Sequence, residues 1–120
     1  MNKTERGRWG ESLAAKYLEK QRLRIIEKNW RQGRNEIDII ARDDATWVFV
    51  EVKVRKFGFE QEALESVDLE KQLRIIHAAD RYLASRKGGI NDVRFDIICV
   101  YYEKGQHKIQ HLEDAFICLP

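Results

Sequence analysis

Residues 36–53, EIDIIARDDATWVFVEVK, read as a β-hairpin: two apolar runs around an acidic turn, with the charged residues Asp38, Glu51 and Lys53 set inside the runs. Charged residues are depleted from strands and costly to bury alone, so the fold turns on where these three point. Along the second run Val48, Val50, Val52 and Val54 face one way, and Trp47, Phe49, Glu51, Lys53 and Arg55 the other. Along the first run Ile37, Ile39 and Ala41 share one face and Glu36, Asp38 and Ile40 the other. A turn centred on Asp44-Ala45 sets Arg42 opposite Trp47, Ile40 opposite Phe49, Asp38 opposite Glu51 and Glu36 opposite Lys53. A slip of one residue would turn carboxylates into the valine face, so the patterning selects this register.

Two carboxylates directly opposite one another across a hairpin, with Cβ atoms about 4.5–5.5 Å apart, repel. A bound cation, a shared proton or the adjacent lysine can hold them. With Glu11 available from an upstream helix and main-chain carbonyls nearby, they suit an all-oxygen site for Mg²⁺ or Mn²⁺. Lys53, on the same face as Glu51, could then serve a water attacking a phosphodiester or neutralise the developing charge. The competing reading is an ordinary solvated ladder of Glu36, Glu51, Lys53 and Arg55.

Outward from the hairpin, 120 residues with 43% apolar and 35% charged side chains predict one globular domain over 1–120. No apolar run approaches the roughly 20 residues of a membrane span, and the charged start MNKTERGRWGE does not resemble a signal peptide. The expected compartment is the cytoplasm. Cys99 and Cys118 are far apart, form no CxxC pair and read as buried thiols. The net charge of +2 hides an asymmetry, with residues 1–34 at +6 and the remainder at −4. A basic N-terminal third is either a polyanion footprint or a solvated face.

Thr4 is the expected cap of a helix running to about Gln21, with Trp9, Leu13, Ala14, Tyr17 and Leu18 on one face and Glu11 at its border. Arg22 to Trp30 reads as a strand with Leu23, Ile25 and Ile26 inward. After the hairpin, KFGFEQEAL reads as a loop, and Ser66 as the cap of a helix presenting Leu69, Leu73, Ile76 and Leu83 and ending at Gly88-Gly89. RFDIICVYY predicts a strand covered on both faces. A Lys104-Gly105 turn leads to a short strand, His107 to Leu112, and a helical turn near Ala115. The order α-β-β-β-α-β-β implies an α/β fold, a mixed sheet with a helix on each side. His77, His107 and His111 read as surface residues, and Asp96 as a buried carboxylate paired with Arg94 or Arg74.

A helix bearing Glu11, then Gly33, Glu36 and Asp38 in a G-x-x-E-x-D stretch, then Glu51-Val52-Lys53, resembles the PD-(D/E)xK motif of the restriction-endonuclease-like superfamily. More closely, GRWGESLAAKYL, NWRQGRNEIDIIARD, VFVEVKVR, ESV with Lys71, and RFDII resemble the YraN-like family of uncharacterised bacterial proteins, themselves similar to archaeal-type Holliday junction resolvases. The likeness spans about residues 6–102. It implies a restriction-endonuclease-like core, with Asp38 and Glu51 as ligands of Mg²⁺ or Mn²⁺, Lys53 as catalytic lysine and Glu11 as an accessory catalytic carboxylate. Asn35 stands where members of that family often carry glycine, a departure that spares these positions. The implied activity is endonucleolytic hydrolysis of DNA, branched or otherwise structured, by a chain that would work as a homodimer on junctions. Arg6, Arg8, Arg31, Arg34, Arg55, Lys56 and Lys71 are the residues expected to meet nucleic acid. A DNA-binding or adaptor domain that keeps the fold without catalysis remains the alternative.

Overall fold

In the computed structural model, which describes residues 1–86 and 92–116, the chain opens with helix α1 (Lys3–Lys20). Its cap is Asn2 rather than Thr4: the Asn2 side chain accepts from the Glu5 N–H and the Glu5 carboxylate accepts from the Asn2 N–H. This reciprocal box satisfies two N–H groups that Thr4 would leave open. Four strands and two further helices follow a first strand: β1 (Arg24–Gln32), β2 (Asn35–Asp43), β3 (Thr46–Lys56), α2 (Glu60–Glu65), α3 (Leu69–Ala84), β4 (Val93–Glu103) and β5 (Gln106–Phe116). The expected α/β class and element order hold, with the short α2 added inside the segment expected to be a loop.

The five strands form one mixed sheet in the order β1-β2-β3-β4-β5, antiparallel except for the parallel pair β3 and β4. A parallel neighbour needs a crossover connection, and α2 and α3 supply it. The β2–β3 hairpin has the register read from the pattern, with Ile39 opposite Val50, Ile40 opposite Phe49, Ala41 opposite Val48 and Arg42 opposite Trp47. Asp44 turns the corner at φ 51, a conformation Asp tolerates.

Each face of the sheet buries its own cluster. Val48, Val50, Ile98 and Val100 pack with Ile39 and Ala41 against Ala14, Ala15 and Leu18 of α1. On the other face Ile40, Trp47, Phe49, Phe95, Cys99 and Tyr101 pack against Ala63 of α2 and Ile75, Ala78, Ala79 and Tyr82 of α3. Tyr82 meets Trp30, Trp47 and Phe49 edge-on at centroid distances of 5.3, 5.6 and 6.1 Å, an arrangement aromatic quadrupoles favour.

Several expectations are corrected. Asp68, not Ser66, caps α3, its carboxylate accepting from the Lys71 N–H at 2.9 Å, while Ser66 closes α2. The buried stripe of α3 is Ile75, Ala78, Ala79 and Tyr82; Leu69 and Leu73 of the expected stripe are exposed. Strand β5 continues through Ala115 to Phe116, so no helical turn forms there. A bulge between Ile25 and Glu27 lets Ile25 and Ile26 serve opposite clusters. Ile37 leaves the face of Ile39 and Ala41 and joins Ile40, beside Asn29 at φ 53. Cys99 is buried as expected, whereas Cys118 and the Gly88-Gly89 helix stop lie outside the described residues. No described helix is long and apolar enough to cross a membrane.

Gly10 sets the depth of α1, because a Cβ there would strike the Cγ2 of Val54 on β3. Gly10→Ala is expected to destabilise the fold by about 1–3 kcal/mol, the usual range for overpacking, despite alanine's higher helix propensity. Urea unfolding followed by circular dichroism measures the change.

Candidate active site

The backbone ladder between β2 and β3 runs from Asp43 and Thr46 to Ile39 and Val50, and there it stops. In an antiparallel pair every second residue turns its N–H toward the same neighbour. The Trp47 N–H bonds to the Asp92 carbonyl on the β4 side, so Val48, Val50 and Val52 face β2. The Val52 N–H is taken not by a β2 carbonyl but by the Asp38 carboxylate, at 2.8 Å. Asp38 therefore stands in the gap where the two strands part.

The parting also undoes one expected contact. Glu36 pairs with Arg31 across the β1–β2 hairpin at 3.2 Å instead of facing Lys53. Lys53 Nζ lies 3.3 Å from Glu51 Oε2, and Lys71 Nζ reaches the same oxygen at 3.5 Å from the first turn of α3. Glu51 is almost wholly buried, so these two ammonium groups offset a charge that would otherwise be costly there.

Asp38 has less compensation. Burial raises its pKa well above the ordinary aspartate value, the Glu51 charge raises it further, and the bond from Val52 opposes both. The Glu11 carboxyl is also raised, first by burial and then by Glu36 and Glu51, with Asn29 acting the other way. Helix α1 and strands β2 and β3 thus bring Glu11, Asp38 and Glu51 to one cavity of about 560 Å³, whose wall also carries Lys53.

The donor set fits a hard divalent cation. Mg²⁺ is commonly held by one or two carboxylates, with water completing its shell, and Asp38 and Glu51 present two carboxylates on one cavity. Among the described residues no three His, Cys, Asp or Glu side chains converge tightly enough to hold an ion by themselves. Glu11 thus flanks the pair instead of completing a three-carboxylate cage.

The basic residues divide. Arg6, Arg55 and Lys56 line this cavity, joined by Lys3. Arg8 and Arg31 line an adjoining groove with Glu11, Asn29 and Glu36. Arg34 sits exposed in the turn between β1 and β2 and lines neither. Arg55 is engaged by Glu62 of α2 at 2.6 Å, and Lys71 by Glu51. Lys3, Phe59 and Tyr102 line the cavity without standing out in the sequence. Tyr102 arrives through the parallel pairing, as the partner of Lys56.

A second buried polar cluster lies between β4, β5 and α1. The fully buried Asp96 accepts from Arg94 at 2.9 and 3.1 Å and from the Asp114 N–H at 3.0 Å, and it meets His111 Nε2 at 2.7 Å. The other ring nitrogen of His111 meets the Tyr17 hydroxyl at 3.2 Å. The expected Arg94 pairing holds, but His111 is interior rather than a surface residue. His77 and His107 are exposed. Burial would raise the Asp96 carboxyl, but His111, Arg94 and the Asp114 N–H outweigh it and hold the carboxyl below its ordinary range.

This is a sheet-borne carboxylate and lysine site in an α/β protein, and comparison with known proteins places the chain in a family. Residues 10–100 match the uncharacterised protein family UPF0102, and the chain belongs to it. UPF0102 proteins of Lawsonia intracellularis and Prosthecochloris aestuarii are 38% and 44% identical to it over 116 residues, covering 97% and 92% of this chain and 88% and 91% of their own lengths. One of Bacteroides thetaiotaomicron is 41% identical over 112 residues, covering 93% of this chain and 92% of its own. The family description names no reaction, so the chemistry has to be read from the side chains.

Two outcomes follow from the buried charges. Because Asp38 binds its proton more tightly folded than unfolded, stability falls as pH rises above the ordinary aspartate value of 3.8 toward the higher folded pKa. Asp38→Asn removes that loss, so its unfolding midpoint should exceed that of the native chain by more at pH 8 than at pH 5, read by thermal melts at both. Asp96→Ala leaves Arg94 and His111 without their buried partner and should cost about 3–5 kcal/mol in urea unfolding at neutral pH.

Proposed function

We propose that the chain is a metal-dependent endonuclease of the PD-(D/E)xK, restriction-endonuclease-like kind, hydrolysing phosphodiester bonds in branched or otherwise structured DNA. The observation that carries this reading is that Asp38 and the buried Glu51 line one cavity at the point where β2 leaves β3, with Lys53 Nζ 3.3 Å from Glu51. Two carboxylates whose charges act on one another have a physical reason to take up a cation, since it offsets their repulsion.

In this reading Asp38 and Glu51 would hold Mg²⁺ or Mn²⁺, which when bound would supply Lewis acidity to the phosphate and lower the pKa of a water. The ammonium of Lys53 would donate to the phosphate and stabilise charge that grows as the new P–O bond forms and the ester P–O bond breaks. The attacking water would give up its proton to solvent, and the alkoxide released would take one from solvent. Glu11 lines the same cavity and would be a further carboxylate acceptor. Lys3, Arg6 and Lys56 line the approach and suit phosphates, which would make binding fall steeply with salt. Action on a junction calls for two such sites, as a homodimer would supply.

The deciding measurement is cleavage of four-way junction, flap, single-stranded and duplex DNA with Mg²⁺ or Mn²⁺. The native chain should nick at least one of them, and Lys53→Ala should slow that nicking by about 10²-fold or more, the usual effect of deleting one transition-state donor. DNA binding with no cleavage of any substrate by the native chain would sink the nuclease reading and leave the adaptor alternative.

A further inference from the structure

The cavity wall holds one feature that hydrolysis does not require. Phe59, at the mouth of the cavity that holds Asp38 and Glu51, exposes 56% of its surface. The other aromatic residue on that wall, Tyr102, is already engaged: Arg6 lies over its ring at 5.2 Å and Trp9 meets it edge-on at 6.2 Å. Neighbouring Phe57 lies under Lys108 at 5.4 Å. Among the described residues Phe59 has no aromatic or cationic partner on its ring.

Its placement is also built. The Phe59 N–H bonds to the Lys56 carbonyl at 3.1 Å, closing a turn whose third residue, Gly58, sits at φ 97. That position calls for glycine. The Glu60 carboxylate accepts from the Gly58 N–H at 2.6 Å and fixes the turn from the other side. Phe59 itself occupies the cap position of α2 and makes no side-chain cap bond. Ser, Thr, Asp or Asn would stabilise the helix there, so the fold forgoes a cap and holds an apolar ring in solvent beside cationic side chains. Stacking of a nucleobase on a rigid aromatic ring next to phosphate-binding cations is the recognition mode such a surface serves.

We propose that Phe59 is a stacking platform for an unpaired base, so that the strand presented to Asp38 and Glu51 carries at least one nucleotide outside a duplex. The proposal rests on the nuclease reading for the role of the neighbouring site and narrows its substrate to DNA with a single-stranded element. A base inside a continuous duplex keeps both of its faces in the stack and has none to offer the ring. Phe59 is then a specificity residue and takes no part in bond breaking.

Fluorescence anisotropy with a labelled single-stranded oligonucleotide and with the same strand in a blunt duplex tests this, with Ca²⁺ replacing Mg²⁺ to suppress turnover. Phe59→Ala should weaken single-strand binding by about tenfold, the scale of one lost base–aromatic stack, and leave duplex binding unchanged. Phe59→Trp should retain single-strand affinity, and Phe59→Leu should behave like alanine, which separates stacking from greasy contact. Because the ring is exposed, all three variants should melt with the native chain. Equal losses on both DNAs, no loss on either, or a shift in oligomeric state by sedimentation in place of a binding change would overturn the proposal. A parallel Mg²⁺ cleavage assay of the native chain separates the two readings. Cleavage with no Phe59 effect overturns stacking alone, and a Phe59 effect without cleavage overturns the nuclease reading alone.

Discussion

The bond from the Val52 N–H to the Asp38 carboxylate is the constraint around which the site is arranged. A β-ladder propagates by exchanging main-chain bonds, and a side chain that takes one of those N–H groups ends the exchange. Beyond Ile39, β2 is therefore paired only with β1, through Ile37 with Trp30, Glu36 with Arg31 and Asn35 with Gln32. The opening gives a carboxylate access to a place that would otherwise be continuous sheet. It also gives the α1 side of the sheet, which carries Glu11, and the α3 side, which carries Lys71, a common point of contact at Glu51 and Asp38.

Two carboxylates of this sheet, Asp38 and Asp96, are treated in opposite ways. Asp96 is surrounded by donors and behaves as a structural ion whose charge is fully used in tying β5 to β4. Asp38 receives one N–H and faces two more carboxylates. Sites that keep charge uncompensated at a cost in stability are characteristic of places reserved for a ligand or a reaction. The contrast within one sheet sets Asp38 apart from a fully paired structural carboxylate such as Asp96.

The part of the architecture set by period-two patterning was legible in the sequence. Valines 48, 50, 52 and 54 permit one pairing with Ile39 and Ala41, and the same pattern carried along both strands sets Asp38 toward Glu51, although the ladder itself stops at Ile39 and Val50. What escaped depends on groups remote in sequence. Glu36 could not be assigned to Arg31 without knowing that β2 departs from β3. His111 reads as a surface residue on an alternating polar strand; it is interior because α1 brings Tyr17 over the same end of β5 where the register slips past Asp96. The caps expected at Thr4 and Ser66 fall instead to Asn2 and Asp68, because hydrogen-bond geometry, not residue type, selects among cap-forming residues that lie close together. Lys71 gained its contact with Glu51 only through the cap that turns the start of α3 toward the sheet.

The close seat of Gly10 on Val54 has a mechanical meaning for the site. Helix α1 cannot approach β3 further, because the contact is already between main chain and methyl group. Glu11, one residue along, therefore rides on β3 at a nearly fixed height. Asp38 lies on the stretch of β2 that has left β3 while staying paired with β1, and the bond from the Val52 N–H links its side chain to β3. The height of Glu11 is thus set by packing and the position of Asp38 by a hydrogen bond, so the two carboxylates of one cavity answer to different residues of the same strand.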